Sequence, residues 1–156
     1  MKTNYTIISE KEHSARAMAL DLPISTKQSI EICSAIRSKP LEKAKEILKR
    51  VIKLKTPIPF KRFKLNVGHK RGHLAAGRYP IKASEYILKL LNQVETNAQD
   101  KGLNTDNLVI KHIKADYGSR IWHRGRQSRQ KMKRTHIEVV TEEMEKETKP
   151  KEDKQK

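Results

Sequence analysis

Two long stretches of this chain contain lysine and arginine but no acidic residue, and they limit what the chain can fold into. Eleven lysines and arginines lie between Ile47 and Ser84, and seven lie within residues 118–134. Segments with so much like charge cannot be packed into an interior, so they must lie on the surface or protrude from it. The whole chain carries a net charge of +17, whereas residues 141–156 hold six acids and five lysines. We therefore expect a polyanionic partner that binds residues 1–140 rather than the C-terminal end.

The rest of the composition predicts one modest domain with a small core. The chain has 156 residues, of which 35% are hydrophobic and 34% are charged. Cys33 is the single cysteine, which excludes an internal disulfide and favours a reducing, cytoplasmic location. No run of residues approaches the length of apolar sequence that a membrane span needs, and Met1–His13 lacks the apolar centre of a signal peptide. We expect a soluble protein with no membrane partner.

Three helices are predicted from apolar residues at helical spacing. Ser25 and Gln28 have the spacing of a capping box before a helix over residues 26–37. Pro40 fits the first turn of a second helix, and Pro80 opens a third that Gly102 ends. The predicted buried stripes are Ile30, Cys33 and Ile36 in the first helix, Leu41, Ala44, Ile47, Leu48, Val51 and Ile52 in the second, and Ala83, Ile87, Leu90, Leu91, Val94 and Ala98 in the third.

Extended chain is predicted in three places. Residues 14–24 alternate with a period of two and include Met18, which we assign to the core. Residues 108–115 and 136–140 are rich in β-branched side chains, and antiparallel pairing of these runs would make a hairpin with arms about 30 Å long. The predicted fold class is α+β, a small body of three helices packed on an antiparallel sheet with a long protruding β-hairpin and a disordered C-terminal tail. One domain spans residues 1–145, followed by a charged tail over residues 146–156.

The two basic segments are the candidate binding site. We call residues 55–80 the basic loop and residues 116–135 the hairpin. Lysine and arginine neutralise phosphates, and planar rings among cations let unstacked RNA bases lie flat on a protein. Phe60 and Phe63 in the basic loop and Trp122 in the hairpin are such rings. The predicted RNA-binding residues are Lys61, Arg62, Lys64, His69, Lys70, Arg71, Arg78, Arg120, Trp122, His123, Arg124, Arg126, Arg129, Lys131, Lys133 and Arg134. We expect these like-charged protrusions to become ordered only against RNA.

Other readings of the same residues remain open at this point. A run of charges can be merely a solvated surface, although such surfaces usually mix both signs. Trp122 could be a partly buried core residue. His69 and His73 have a metal-like spacing, but a structural zinc site needs four ligands. The join between the first two helices loosely resembles a helix-turn-helix, which would indicate a DNA-binding regulator. No catalytic motif is present, so we expect no enzyme, no catalytic residue, no cofactor and no metal.

Several runs of residues resemble a known family. These runs are ARAMALDLPIS, PIPFKRF, VGHKRG, AGRYPIKASEYILKLL, NAQDKGLNTDNLVIKHI and THIEVV. Together they are similar to the large-subunit ribosomal protein family numbered twenty-two universally and seventeen in eukaryotes. The resemblance extends from about His13 to Glu143, and residues 56–79 resemble the archaeal and eukaryotic branch.

The resemblance implies a small α/β body of three helices against a sheet, with a long hairpin that lines the nascent-chain exit tunnel. It also implies a role in subunit assembly. The implied partners are large-subunit ribosomal RNA, neighbouring ribosomal proteins at the tunnel and the nascent chain. The family's hairpin tip usually contains a proline before its arginines, whereas this chain reads Trp122, His123, Arg124, Gly125 and Arg126 there.

Overall fold

The main sheet has a central strand that pairs with one strand on each side. The computed structural model describes residues 5–6, 13–72 and 74–144. The helices and strands are β1 (Ser14–Leu22), α1 (Thr26–Ile36), α2 (Leu41–Ile52), β2 (Ile58–Pro59), β3 (Gly77–Arg78), α3 (Ile81–Asp100), β4 (Leu108–Tyr117) and β5 (Thr135–Glu143). The main sheet has the order β1-β5-β4, and both pairings are antiparallel. β2 and β3 form a separate two-stranded pair within the basic loop.

The core lies between one face of the main sheet and the three helices. Ile137 and Val139 of β5 face it together with Ile113 of β4, and all three are fully buried. The six residues predicted for the buried face of α3 are all buried. Gly102 ends this helix with a φ of +73°, a backbone conformation that favours glycine. The predicted α+β fold, three helices on an antiparallel sheet, is confirmed.

Strand β1 faces the core with its alanines rather than with Met18, which the sequence assigned to the core. Ala15 and Ala17 are buried, Met18 is only half-buried, and Leu20 is 50% exposed. β1 packs against α3, and small alanine side chains let a helix approach a strand closely. The assignment of Met18 to the core interior was therefore wrong, because the small residues rather than the large ones face the helix.

The capping box predicted at Ser25 does not form. Ser25 occupies the N-cap position of α1, but its side chain makes no capping hydrogen bond. The Ser29 hydroxyl instead donates to the backbone oxygen of Ser25 at 3.0 Å. The start of α1 is instead hydrogen-bonded to the sheet, because the Thr26 hydroxyl lies 2.7 Å from the hydroxyl of Thr135 on β5.

Two predictions fall on residues outside the described ranges. The tail, residues 146–156, lies there, and so does His73. Within the described ranges, no helix is long and apolar enough to cross a bilayer.

Candidate nucleic-acid interface

The predicted binding residues form an exposed, positively charged surface on the basic loop and the hairpin. Arg134 and His123 are half-buried, and every other residue of the predicted set is exposed. Among the described residues, none of their charged side-chain groups forms an ion pair with a carboxylate within 4.0 Å. Unneutralised cations that repel one another favour binding to an anion.

Several cations on the body of the protein are paired with acids, unlike those of the two basic segments. Lys45 of α2 is buried and pairs with Glu95 of α3, and Arg50 pairs with Glu46 one turn earlier. On the sheet, Lys111 pairs with the carboxylate of Glu142 at 2.8 Å. The chain thus neutralises several of its body cations internally while leaving those of the two basic segments to solvent or to a partner.

A buried carboxylate anchors the start of the basic loop. Glu31 lies on the buried face of α1 and is only 2% exposed. Its Oε1 accepts backbone hydrogen bonds from Arg62 and Phe63 at 2.8 and 2.7 Å, and its Oε2 accepts one from Lys61 at 3.1 Å. Three consecutive N–H groups that converge on one carboxylate make strong, charge-assisted bonds. This contact fixes the backbone while leaving the side chains of Lys61 and Arg62 exposed.

The aromatic residues of the basic loop are less available than the sequence predicts. Phe60 is 5% exposed and belongs to the core, so the interpretation of its ring as a platform for bases is wrong. Phe63 is half-buried, with the Arg62 guanidinium 5.5 Å and the Lys27 ammonium 5.7 Å from its ring centroid. The backbone N–H of Phe60 also donates to Ala76 across the β2–β3 pair. The basic loop was expected to become ordered only against RNA. Because Phe60 and Phe63 are already held by the body, that expectation can apply only to the other residues of the loop.

The hairpin continues the β4–β5 pairing away from the core. Three backbone hydrogen bonds join its arms, from Gly118 to Arg134, from Met132 to Ile121 and from His123 to Gln130. A short 3-10 turn over Gly125–Gln127 closes the tip. Residues 119–122 and 124–131 are all exposed, so most of the tip is open to solvent.

Trp122 lies on the hairpin surface rather than in the core. It is 55% exposed, and the Lys131 ammonium lies 4.5 Å from its ring centroid on the opposite arm. A cation over one face of an indole ring is an attractive contact that leaves the other parts of the ring accessible. The reading of Trp122 as a core residue is excluded, and the geometry is suited to stacking.

The root of the hairpin is tightly fitted to β1. A Cβ atom added at Gly118 would lie 3.0 Å from Arg134 Cβ and 3.1 Å from both Asp21 Oδ1 and His136 Nε2. The Arg134 guanidinium donates to the backbone oxygen of Asp21, whose own N–H donates to His136 Nδ1. These contacts fix the direction in which the hairpin leaves the sheet.

The join between α1 and α2 is unsuited to reading DNA. Ser38 N–H donates to the Ile110 carbonyl, and the Ile110 N–H donates to Lys39, so this join is bonded to β4. Leu41, the first residue of α2, is 1% exposed. A recognition helix needs a free N-terminal end, which α2 does not have.

Cys33 and Glu138 are two further buried groups outside the basic segments. Burial raises the pKa of the Cys33 thiol to about 12, so it is a neutral core residue. Glu138, on the outer face of β5, accepts from the Thr6 N–H at 3.1 Å and lies 2.8 Å from His112 Nε2. Burial acts to raise the pKa of Glu138, but these hydrogen bonds and the attraction of His112 outweigh it and hold the pKa below its ordinary value.

Sequence reasoning missed three residues that shape the interface. Glu31 is a single acid in an amphipathic helix, and nothing local indicates that it binds a loop thirty residues later. Tyr117 lies immediately before the acid-free residues 118–134, and Lys27 lies well before the acid-free stretch that begins at Ile47. The two histidines offered as a metal pair are not both described, and no group of three potential ligands occurs among the described residues.

Comparison with known proteins identifies the family. The sequence profile described as "Ribosomal protein L22p/L17e" matches residues 17–142. Three proteins named "Large ribosomal subunit protein uL22" are similar to this chain. The one from Archaeoglobus fulgidus is 48% identical over 75% of this chain and 77% of its own length. The one from Ignicoccus hospitalis is 44% identical over 90% and 96%, and the one from Methanocaldococcus jannaschii is 41% identical over 91% and 96%.

The matched region begins in β1 and ends in β5, so it contains all three helices and both basic segments. The organisms agree with the archaeal and eukaryotic branch that residues 56–79 indicate. On this match and on the fold described above, the chain belongs to the L22p/L17e family of ribosomal proteins.

Proposed function

We propose that this chain is a structural constituent of the large ribosomal subunit in the cytoplasm that binds large-subunit RNA through the basic loop and the hairpin. One observation carries the proposal: within the described residues none of the predicted binding cations forms an ion pair and all but His123 and Arg134 are exposed, while several body cations have acidic partners. Family membership confirms the non-enzymatic role that the sequence predicts.

The finer parts of the proposal rest on the family resemblance together with the geometry. The hairpin lines the exit tunnel for the nascent chain, next to neighbouring ribosomal proteins, and the protein supports subunit assembly. A narrow protrusion with an exposed tip is suited to threading between RNA helices, because its exposed cations can contact phosphates. Residues 1–145 act as one domain, and residues 146–156, which hold both acids and lysines, take no part in RNA binding.

The test replaces Arg124 and Arg126 at the tip together by alanine. Both are exposed, so the free energy of unfolding should stay within about 0.5 kcal/mol of the wild type. Affinity for large-subunit RNA should fall, and the slope of log K against log salt should decrease by about 0.7–0.9 for each lost phosphate contact. Incorporation into large subunits should weaken in parallel.

A matched control replaces Lys43 and Lys89, exposed lysines of α2 and α3, by alanine. This double variant removes the same charge from the helices instead of the hairpin, so it should retain the wild-type salt slope. An unfolded tip variant, or equal loss of affinity in both double variants, would contradict the assignment of RNA binding to the hairpin.

A further inference from the structure

A cleft opens between the start of α1 and the root of the hairpin. It has a volume of about 290 Å³. Its described lining includes four cations and no carboxylate, and the residues are Ser25, Thr26, Lys27, Tyr117, Arg120, Lys131, Met132 and Lys133. The cleft is therefore strongly attractive to an anion, although half of its lining comes from outside the acid-free stretches.

Lys27 connects the cleft with the basic loop. Its side chain is exposed, lines the cleft and places its ammonium 5.7 Å from the ring of Phe63. Phe63 and Tyr117 are far apart in sequence, yet both lie beside the first turn of α1. The two basic segments thus meet around one lysine, which makes them parts of a continuous positive surface.

Tyr117 supplies a flat apolar wall to the cleft. Its side chain is 53% exposed at the end of β4, where its backbone is paired with Thr135 and therefore held in place. The Arg120 guanidinium lies 4.7 Å from the centroid of its ring. An aromatic face beside a cation is the combination on which single-stranded nucleic acids stack their bases.

The size of the cleft decides which form of nucleic acid it accepts. A volume of about 290 Å³ is just below the range of about 300–1,000 Å³ for small-molecule sites. It suits one nucleotide, whereas a paired duplex keeps its bases stacked and presents only backbone and groove edges. These dimensions favour an unstacked base with its phosphate over a duplex.

We propose that this cleft binds one unstacked nucleotide from a single-stranded segment of large-subunit RNA. The phosphate lies between Lys27 and Lys133, and the base stacks on Tyr117. This inference rests on the proposed function, and it adds a defined subsite, Lys27 and Tyr117 as binding residues, and a preference for unpaired RNA.

The experiment titrates the full chain with a mixed-sequence single-stranded RNA hexamer and with a duplex of the same sequence. Tyr117→Leu should weaken hexamer binding about 5- to 150-fold, the loss expected for one stacked base. Lys27→Gln should lower the salt slope by about 0.7, the loss of one phosphate contact on a single strand. Binding of the duplex should be unaffected by Tyr117→Leu. Lys43→Gln, which removes an exposed charge on α2, should change neither property.

The possible results separate the two proposals. If the wild type binds the hexamer but Lys27→Gln and Tyr117→Leu bind it as Lys43→Gln does, the cleft is not a nucleotide site and the broader proposal stands. If the wild type binds neither RNA, both proposals fail. Tyr117→Phe should keep wild-type affinity, and a loss as large as that of Tyr117→Leu would overturn stacking. Should Tyr117→Leu unfold, the surface variant Lys27→Gln decides alone.

Discussion

Replacement of Glu31 tests how the basic loop is held. This side chain is buried and its two oxygens accept three consecutive backbone N–H groups. Glutamine at this position can still accept from Arg62 and Phe63 through its carbonyl oxygen. Its NH₂ group would then face the Lys61 N–H, and two donors cannot bond to each other.

The cost follows from the bonds that are lost. A hydrogen bond to a charged group contributes about 1.5–3 kcal/mol, so Glu31→Gln should lower the free energy of unfolding by about that amount. Glu31→Ala removes all three bonds and leaves a cavity, so it should lower the free energy of unfolding by more than Glu31→Gln does. Domains of this kind have a total stability of about 5–15 kcal/mol, so the glutamine variant should remain folded and its loss of stability can be measured.

Urea unfolding and amide hydrogen exchange of the free protein measure the effect. The amides of Lys61, Arg62 and Phe63 should exchange about 10- to 150-fold faster in Glu31→Gln, which corresponds to the same free energy. Glu85→Gln, the same change at an exposed position of α3, is the control and should stay within about 0.5 kcal/mol of the wild type. Equal stability and equal exchange in the two glutamine variants would refute the anchoring role of Glu31.

Three further outcomes follow from the structure. Cys33, with its pKa raised to about 12 by burial, should resist alkylation at neutral pH in the folded protein and react once urea unfolds it; rapid reaction in the native state would contradict its burial. Because the pKa of Glu138 is lowered, its contribution to stability is present above its ordinary pKa and is lost as pH falls through the folded value. The melting temperature of the wild type should therefore drop more steeply in acid than that of Glu138→Gln, and parallel pH curves would exclude this contribution. Gly118→Val should weaken the hairpin root, because its Cβ would lie 3.0 Å from Arg134 Cβ; hairpin amides that stay as protected as in the wild type would show that the root can adjust.

Helix α3 could be predicted from local sequence alone. Its apolar residues recur at helical spacing over twenty residues, with proline before the first turn and glycine after the last. Such a pattern predicts an amphipathic helix with one buried face. Strand β1 could not be oriented in the same way, because both of its faces carry apolar side chains. Only packing against α3 selects the alanine face.

The candidate interface was predictable where it depends on composition and not where it depends on distant contacts. The absence of acids is sufficient to predict that Arg124 and Arg126 are exposed. The bonds of Glu31 to the basic loop and the position of Lys27 between two segments arise only when the chain folds. No local pattern carries that information, so the anchor and the cleft needed the structure.

The central claim is that the basic loop and the hairpin, rather than the exposed faces of α2 and α3, hold large-subunit RNA. Ultraviolet cross-linking of intact large subunits that contain this chain, followed by mass spectrometry of the attached peptides, tests it directly. The account predicts cross-links on residues 61–71 and 119–134 and none on the exposed side chains of α2. Cross-links concentrated on α2, with the two basic segments unmodified, would contradict it.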